Sequence, residues 1–553
     1  MSAGERLLAG LSWEQLRNRH SFIELNALAR CTALLDAGTM RVLLGPFARV
    51  ESPWLQPQGI TPQSDDGVVI ARGMVGGAPV VIAAIEQRFQ GGAIGEVSGA
   101  KITDALRHAV AESASGAPTA AIILFETGGV RLQEANLGLN AVAEICSAVL
   151  DLRRAAPVVG IVAGTVGCFG GMGIVAGLCT RLIVTPQARL GLNGPAVIEQ
   201  EHGIDEFDSH DHTLIWAVDG GQARHAAGLA DDLVADDVDL IRVAVTSAVR
   251  ADAAQSGHHR SQRLDDLANR IDAVTTPAVA ANSATATVTR GRAWLSALTA
   301  GHQIEAVIPS VLRVLTDDAL YLAVVPDPAN RFHCARNGEV GLTESLALAR
   351  AVRDLAATDT DAPRSRPIIA VVDLPSQAYG RIEETVGLHQ VMAAATDAYH
   401  AARTAGHPVV ALVVGSALSG GFLTHGLQAN QILALDDPGV EIHAMHREAA
   451  ARITLRTVAD LERLATTITP LSFRVSDWAT LGFCDGLLRV DDADTPTADD
   501  IALVHGAIEQ AVESARSGPW DLSNRLDSAA AATARKASRT VHDQMAHEWA
   551  DDT

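Results

Sequence analysis

At 553 residues the chain is too long for one core, so two or more domains are expected. Its net charge of −22 leaves no basic stripe to release counterions, which excludes nucleic acid and anionic membrane surfaces as partners. The six cysteines, Cys31, Cys146, Cys168, Cys179, Cys334 and Cys484, show no C-x-x-C spacing. That disfavours a zinc ribbon and suits reduced thiols; Met1 to Gly10 holds charges and no long apolar run, so a cytoplasmic location is expected.

Residues 1–60 read as a helical entry (LLAGLSWEQL, then FIELNALARCTALLD) that ends in the turn at Gly45-Pro46. VVIARG (68–73) and PVVIAAIEQ (79–87), parted by Gly76-Gly77, read as a hairpin. In FQGGAIGEVSGAK, Gly91, Gly92, Gly95 and Gly99 form a turn that enters a helix from about Glu96. AAIILFE (120–126) is a buried strand that delivers Glu126 to a turn at Gly128-Gly129, after which Arg131 and Glu134 head a long amphipathic helix.

PVVGIVAGTVGCFGGMGIVAGLC (157–179) follows: a strand Val158–Val162, a small-residue turn, the pair Gly170-Gly171, and a helix from about Met172. No charge falls between Arg154 and Arg181, long enough for a membrane span. The glycines, the β-branched first half and Thr165 favour strand and loop instead, so no membrane is expected. RLIVT (181–185) is the next strand, and LGLNGPAVIEQ with a charged helical region closes the first half.

Residues 251–290 lose periodicity, and 271–290 read as a linker, with RLDDLANRI still in the first domain. The second half repeats the plan: a helix near 303–315, strands ALYLAVV and PIIAVVD (367–373), a loop from Leu374 to Arg381, and a long helix 382–405. PVVALVVGSALSGGFLTHGLQ, from Pro408, then repeats strand, turn and glycine pair (Gly420-Gly421). Strand QILAL (431–435), helices to about 516 and a surface helix in the tail complete the chain. This order predicts two similar α/β domains, 1–270 and 291–553.

Glycines at a strand-to-helix turn expose backbone N–H groups at a helix N-terminus, where an anion is favoured. Two oxyanion cradles on one chain are therefore expected. The bland reading of FETGGVRLQEA is a βα connection with a buried Arg–Glu pair, and of QGGAIGEVSGAK close helix–strand packing. Neither fits a dinucleotide fingerprint; there is no P-loop, and Gly415 to Gly420 only grazes the hydrolase elbow G-x-S-x-G. His443 and His446 lack a third ligand at a matching offset, and His210 and His212 flank Asp211 in an acidic loop, so no metal is expected.

FQGGAIGEVSGAK, FETGGVRLQEA, the Gly170-Gly171 unit and NGPAVIEQ resemble the β-type half of acyl-CoA carboxyltransferases, and VVGSALSGGFLTHG resembles the α-type half. GITPQSDDGVVIARG, EANLGLNAVAEI and IEQEHGIDEFDSHDHTLIW are similar to the β subunit of biotin-independent malonate decarboxylase. RGRAWLSALTAG, HREAAARIT and SFRVSDWATLGFCDGLL are similar to its γ subunit, here joined in one polypeptide. The resemblance covers most of 20–250 and 288–490 and leaves out the last 40 residues. It implies two tandem crotonase-like (ClpP/crotonase, carboxyltransferase-type) ββα superhelix domains.

It further implies decarboxylation of a malonyl thioester carried on the CoA-like prosthetic arm of an acyl carrier protein, with no biotin, metal or bound cofactor. The implied partners are that carrier, a carrier-charging CoA-transferase-like α subunit, and further copies or subunits in a homo- or hetero-oligomer. Gly420 and Gly421 would face the acyl thioester; Gly170 and Gly171 would lie near the departing carboxylate. Gly91, Gly92, Gly95, Gly128, Gly129 and Arg131 are expected near the substrate, with Phe169 and Phe422 (beside Ala163) as apolar walls that strip water from the carboxylate. Glu126, Cys168, His425 and water remain candidates for protonating the enolate. The alternatives are a biotin-dependent carboxyltransferase, a catalytically idle scaffold subunit, and a hydratase or isomerase that would need paired acidic residues.

Overall fold

The computed structural model describes residues 13–251, 259–276, 289–360, 362 and 364–550. Part of the first expected helix (LLAGLS) and most of the expected linker, 277–288, lie outside the described residues. The chain forms two compact units, each discontinuous in sequence: Met1–Arg131 with Ala148–Arg260 and Ala537–Thr553, and Leu132–Ser147 with Ser261–Lys536.

The first unit holds a seven-stranded sheet in sequential order: β1 (Arg41–Leu43), β2 (Val68–Val75), β3 (Ala78–Ile85), β4 (Ala120–Phe125), β5 (Val158–Val162), β6 (Arg181–Val184) and β7 (Asp232–Leu233). β2 and β3 form the expected hairpin, because Gly76 and Gly77 take φ 57° and 80°, the left-handed pair that matches strand twist. From β3 onward all pairs are parallel. Every residue of β4 and β5 is buried, as befits strands covered on both faces.

Four helices follow from the pattern: α1 (Ala27–Leu34), α2 (Glu96–Ala114), α3 (Ala135–Leu152) and α4 (Gly171–Leu178). Cys31 and Leu34 of α1 pack with Ile82, Ile122, Ile161 and with Val245 of α5 (Val238–Val249) in one core. The uncharged stretch 155–180 is thus strand, turn and an eight-residue helix. Among the described residues one helical segment, Leu132–Leu152, is long and apolar enough to cross a membrane, and 94% of its apolar window is buried inside the protein.

The tail departs from expectation. Lys536–Ala550 is a docked helix, not a surface one: Ser538, Val541, Met545 and Trp549 are buried. Within the first unit, Ser538 donates to Glu96 Oε1 from both N (3.0 Å) and Oγ (3.1 Å), and Trp549 Nε1 donates to Glu112 (2.8 Å).

The second unit holds an eight-stranded sheet. Its members are β8 (Glu305–Ile308), β9 (Val311–Leu315), β10 (Leu320–Val324), β11 (Ile368–Leu374), β12 (Val409–Leu418), β13 (Gln431–Leu435), β14 (Ile442–His443) and β15 (Gly486–Leu488). The order is β15-β13-β12-β11-β10-β9-β8, with β14 beside the end of β12. As in the first unit, an antiparallel entry (β8-β9-β10) feeds a parallel sheet. The helix expected at 303–315 is instead the β8–β9 hairpin, since Pro309 interrupts a β-branched run. α6 (Leu342–Thr358) and α7 (Leu388–Thr404) flank the sheet, and α8 (Ser419–His425) follows β12. The expected helix 382–405 is broken at Gly387, whose φ is 99°. RLDDLANRI forms a helix (Leu264–Asp272) that falls in this second unit.

Candidate functional site

In the first unit three turns are laced together by main-chain bonds. Thr127 N donates to Gly167 O (2.8 Å) and Phe169 N to Thr127 O (3.1 Å); Gly128 N donates to Gly91 O (3.1 Å) and Ile94 N to Gly129 O (2.8 Å). The turns after β4, before α2 and before α4 therefore meet at one place. Gly92 must be glycine there, since a Cβ would stand 1.9 Å from Glu126 O. Gly95 is the N-cap of α2, where its N–H donates to Ser98 Oγ (2.9 Å). Gly91, by contrast, has open space beside it.

The glycine pair itself is divided in role. Gly170 is the N-cap of α4 with φ 61°, and its N–H is already committed to Leu192 O (2.7 Å). Gly171 is the first helical residue, and its amide has no acceptor among the described residues. Neither does the amide of Val130, whose nitrogen lies 3.8 Å from where a Gly170 Cβ would stand. Of the expected pair, Gly171 keeps an uncommitted amide and Gly170 does not, and Val130 offers a further uncommitted amide near the same turn. Sequence reasoning passed over Val130 because its side chain carries no chemistry; the preceding pair Gly128-Gly129 flagged the turn.

The second unit repeats this with variation. Gly420 N is committed to Gln377 Oε1 (2.7 Å), while Gly421 N has no acceptor among the described residues. A Cβ on Gly421 would stand 2.6 Å from Ser376 O, so α8 also presses on the turn after its neighbouring strand. Here the left-handed corner falls on Ser419 (φ 55°), whose Oγ donates to Ala444 O (2.8 Å) and lies 3.3 Å from Tyr379 OH. This is the elbow geometry that the sequence only grazed, yet no histidine bonds Ser419 among the described residues.

Several expected site residues are committed elsewhere. Arg131 is buried and grips Asp66 through Nη1 (2.8 and 3.0 Å), over the Phe89 ring, so it is no free carboxylate clamp, and its acidic partner precedes β2. Glu126 is fully buried and accepts from Arg30 (3.0 Å), Val166 N (3.1 Å) and Gly167 N (3.2 Å), pinning the turn that leads to Gly170. Three donors on one carboxylate fit a positioning role rather than a proton donor. Cys168 is wholly buried, which pushes its thiol well above the usual range. Phe422 packs on Trp478 in the core, ring centroids 6.2 Å apart, with no exposed face. His425 points into the core as well: its Nδ1 bonds Tyr399 OH (2.8 Å), and burial drives its pKa down to about 4.

Phe169 does stay beside the cradle, under the guanidinium of Arg189, 5.6 Å from the ring centroid. Glu199, Asp208 and His210 bring ligand atoms within 4.8 Å of one another at the surface. Glu199 and Asp208 already accept from the amides of Ser209 and His210 (2.8 Å each), so loop closure accounts for the cluster.

Residues 25–269 match the family model of the carboxyl transferase domain, and residues 335–549 match that of the malonate decarboxylase gamma subunit. The malonyl-S-ACP:biotin-protein carboxyltransferase MADC of Malonomonas rubra is 40% identical over 43% of this chain and 78% of its own length. The chain belongs to the carboxyltransferase family, in its malonate decarboxylase branch. It joins in one polypeptide the β-type and γ-type halves, each with a mixed sheet and a glycine pair at the start of a short helix. The malonyl-S-ACP:biotin-protein carboxyltransferase MADD of the same organism is 35% identical over 34% of this chain and 66% of its own length, just under two thirds. One chain of a Pseudomonas malonate decarboxylase hetero-tetramer, solved in complex with malonate, is 54% identical over 49% of this chain and 97% of that chain, with a TM-score of 0.46. The γ match runs to residue 549, beyond the motifs that end near 490, and takes in the docked tail helix.

Proposed function

We propose that this protein releases carbon dioxide from a malonyl thioester presented on the CoA-like arm of an acyl carrier protein, without biotin, leaving the acetyl thioester. The reading is supported by two uncommitted amides, Val130 and Gly171, beside the Gly129–Gly170 contact. As the C–C bond to the carboxylate breaks, its electron pair passes to the α-carbon and onward to the thioester oxygen. Donors fixed at that oxygen stabilise the transition state more than the ground state; one such donor is worth about 3–4 kcal/mol.

The enolate oxygen is proposed to lie on the first unit, a reading supported by its two uncommitted amides and by the commitment of Gly420 in the second to Gln377. With Glu126 and His425 committed and Cys168 sealed, water delivered to the α-carbon is the proposed proton source. The charged carrier would come from a separate transferase subunit, and the work is assigned to the cytoplasm.

A second reading, transfer of the carboxylate to biotin, is favoured by the Malonomonas relatives, whose names specify a biotin protein. Purified full-length protein, given malonyl-carrier or malonyl-CoA, is expected to release carbon dioxide at a rate unaffected by avidin. Activity that requires added biotinyl carrier, or that avidin abolishes, would establish the second reading instead.

A further inference from the structure

The arginines packed about the first-unit cradle are almost all neutralised: Arg30 by Glu126 (3.0 Å), Arg131 by Asp66 (2.8 Å) and Arg224 by Asp219 (3.0 Å). Arg189 is different. Its Nε donates to Thr165 O (2.7 Å), but its two Nη groups have no acceptor among the described residues. The guanidinium is half-buried between two aromatic walls, its carbon 5.6 Å from both the Phe169 and the Trp216 centroids.

The backbone fixes this cation beside the cradle. Cys168 N donates to Arg189 O (2.9 Å), Gly191 N to Cys168 O (3.1 Å) and Gly170 N to Leu192 O (2.7 Å), so residues 189–192 run alongside 168–170. Arg189 therefore projects over the residue that immediately precedes the glycine pair. A partly desolvated guanidinium with a free edge, inside a chain of net charge −22, is a receptor for a carboxylate.

We infer that Arg189 recognises the free carboxylate of the acyl group, and so selects a dicarboxylic half-thioester over its decarboxylated product. This rests on the proposed malonyl-thioester reading and adds the residue that sets its specificity. The role of Arg189 is binding rather than acceleration. Negative charge leaves the carboxylate as carbon dioxide forms and moves to the thioester oxygen. A cation beside the carboxylate thus favours the ground state, while the amides favour the transition state. Phe169 and Trp216 keep water from the pair and hold the plane of the guanidinium.

Arg189→Gln in the full-length chain, assayed with malonyl-CoA, is expected to raise KM about 10- to 100-fold, the range for loss of a charge-assisted bond, with kcat unchanged or higher. The inhibition constant for acetyl-CoA, which lacks the carboxylate, should stay within twofold, and Arg189→Lys should recover part of the KM. An unchanged KM, or KM and the acetyl-CoA constant rising together, would overturn the assignment and mark Arg189 as a structural clamp. If the wild-type protein releases no carbon dioxide, the decarboxylase reading fails by itself. Arg189 is then judged by equilibrium binding: wild type must prefer malonyl-CoA to acetyl-CoA, and the Gln variant must lose that preference.

Discussion

A Cβ placed on Gly170 would stand 2.9 Å from Gly129 Cα, and one on Gly129 would stand 3.2 Å from Gly170 Cα. The turn after β4 and the start of α4 touch backbone to backbone, and neither glycine can carry a side chain without parting them. Both also have left-handed backbones, φ 61° at Gly170 and 111° at Gly129. This contact holds the turn that leads to Val130 against the start of the helix that opens at Gly171.

Gly170→Ala is accordingly expected to reduce kcat by about 100-fold or more, the effect of misplacing an oxyanion donor. Gly77→Ala is the control, because Gly77 shares a positive φ (80°) but has nothing within 4 Å of an added Cβ. It should cost about 1–2 kcal/mol in stability and leave kcat alone. Steady-state kinetics beside thermal melts of the two variants make the comparison; equal kcat losses would show that backbone strain, not cradle geometry, is being read.

Glu126 and Arg30 form a buried ion pair whose carboxylate also holds Val166 and Gly167. Glu126→Gln keeps an acceptor for the amides but leaves Arg30 charged and unpaired, at a cost of about 3–5 kcal/mol. Urea denaturation should record that loss. The surviving activity should keep the wild-type pH profile, because a proton donor has not been removed. A shifted or flattened profile would return Glu126 to the chemistry.

The fold was legible wherever periodicity and punctuation agreed. The β2–β3 hairpin, β4, β5, β6 and β13 fall within a residue or two of the expected strands because runs such as VVGIV and QILAL admit one structure. The cradle's place was legible from its glycine pairs, but its donors were not. Whether an amide is free depends on distant acceptors, Leu192 O for Gly170 and Gln377 Oε1 for Gly420, which local sequence does not reveal. Arg131 and Phe422 were misplaced for the same reason: side-chain type suggested function, and partners 65 and 56 residues away, Asp66 and Trp478, decided otherwise. The tail helix reads as a surface helix in sequence because its buried face, Val541, Met545 and Trp549, is thin and surrounded by polar residues.

Lys101 is fully buried, with Nζ donating to Leu44 O (3.1 Å), Asp65 O (3.0 Å) and Val68 O. Burial lowers its pKa to about 8, against the pull of the nearby Asp65 and Asp66 charges. Between that value and the ordinary 10.5 the unfolded chain binds the extra proton, so this lysine makes stability rise with pH by up to about 1.4 kcal/mol per unit. Burial of Cys31 and Cys179, whose thiols are pushed up to about 12, works in the opposite direction from pH 9. The difference between wild type and Lys101→Met in denaturant titrations at pH 8 and 9.5 isolates the lysine. Parallel pH dependences would mean that Lys101 keeps its ordinary pKa.

His425 and His443 are expected to make the second unit sensitive to acid. His425 is enclosed by Tyr399 and the carbonyls of Leu322 and Val371; His443 stacks on Phe473, centroids 3.9 Å apart. Burial lowers their pKa values to about 4 and about 3, so both are neutral in the folded protein, while the unfolded chain protonates them near 6.5. Their contribution is complete above pH 6.5 and is lost as pH falls toward those folded values. Two such groups give a slope of about 2.7 kcal/mol per pH unit, steepest where the carboxylates are still ionised, between about pH 6 and 5. Replacing both with Gln should halve or better the slope of unfolding free energy in that window, even if the variant is less stable throughout. An unchanged slope would place the acid sensitivity in other groups and show that these histidines protonate without unfolding the core around them.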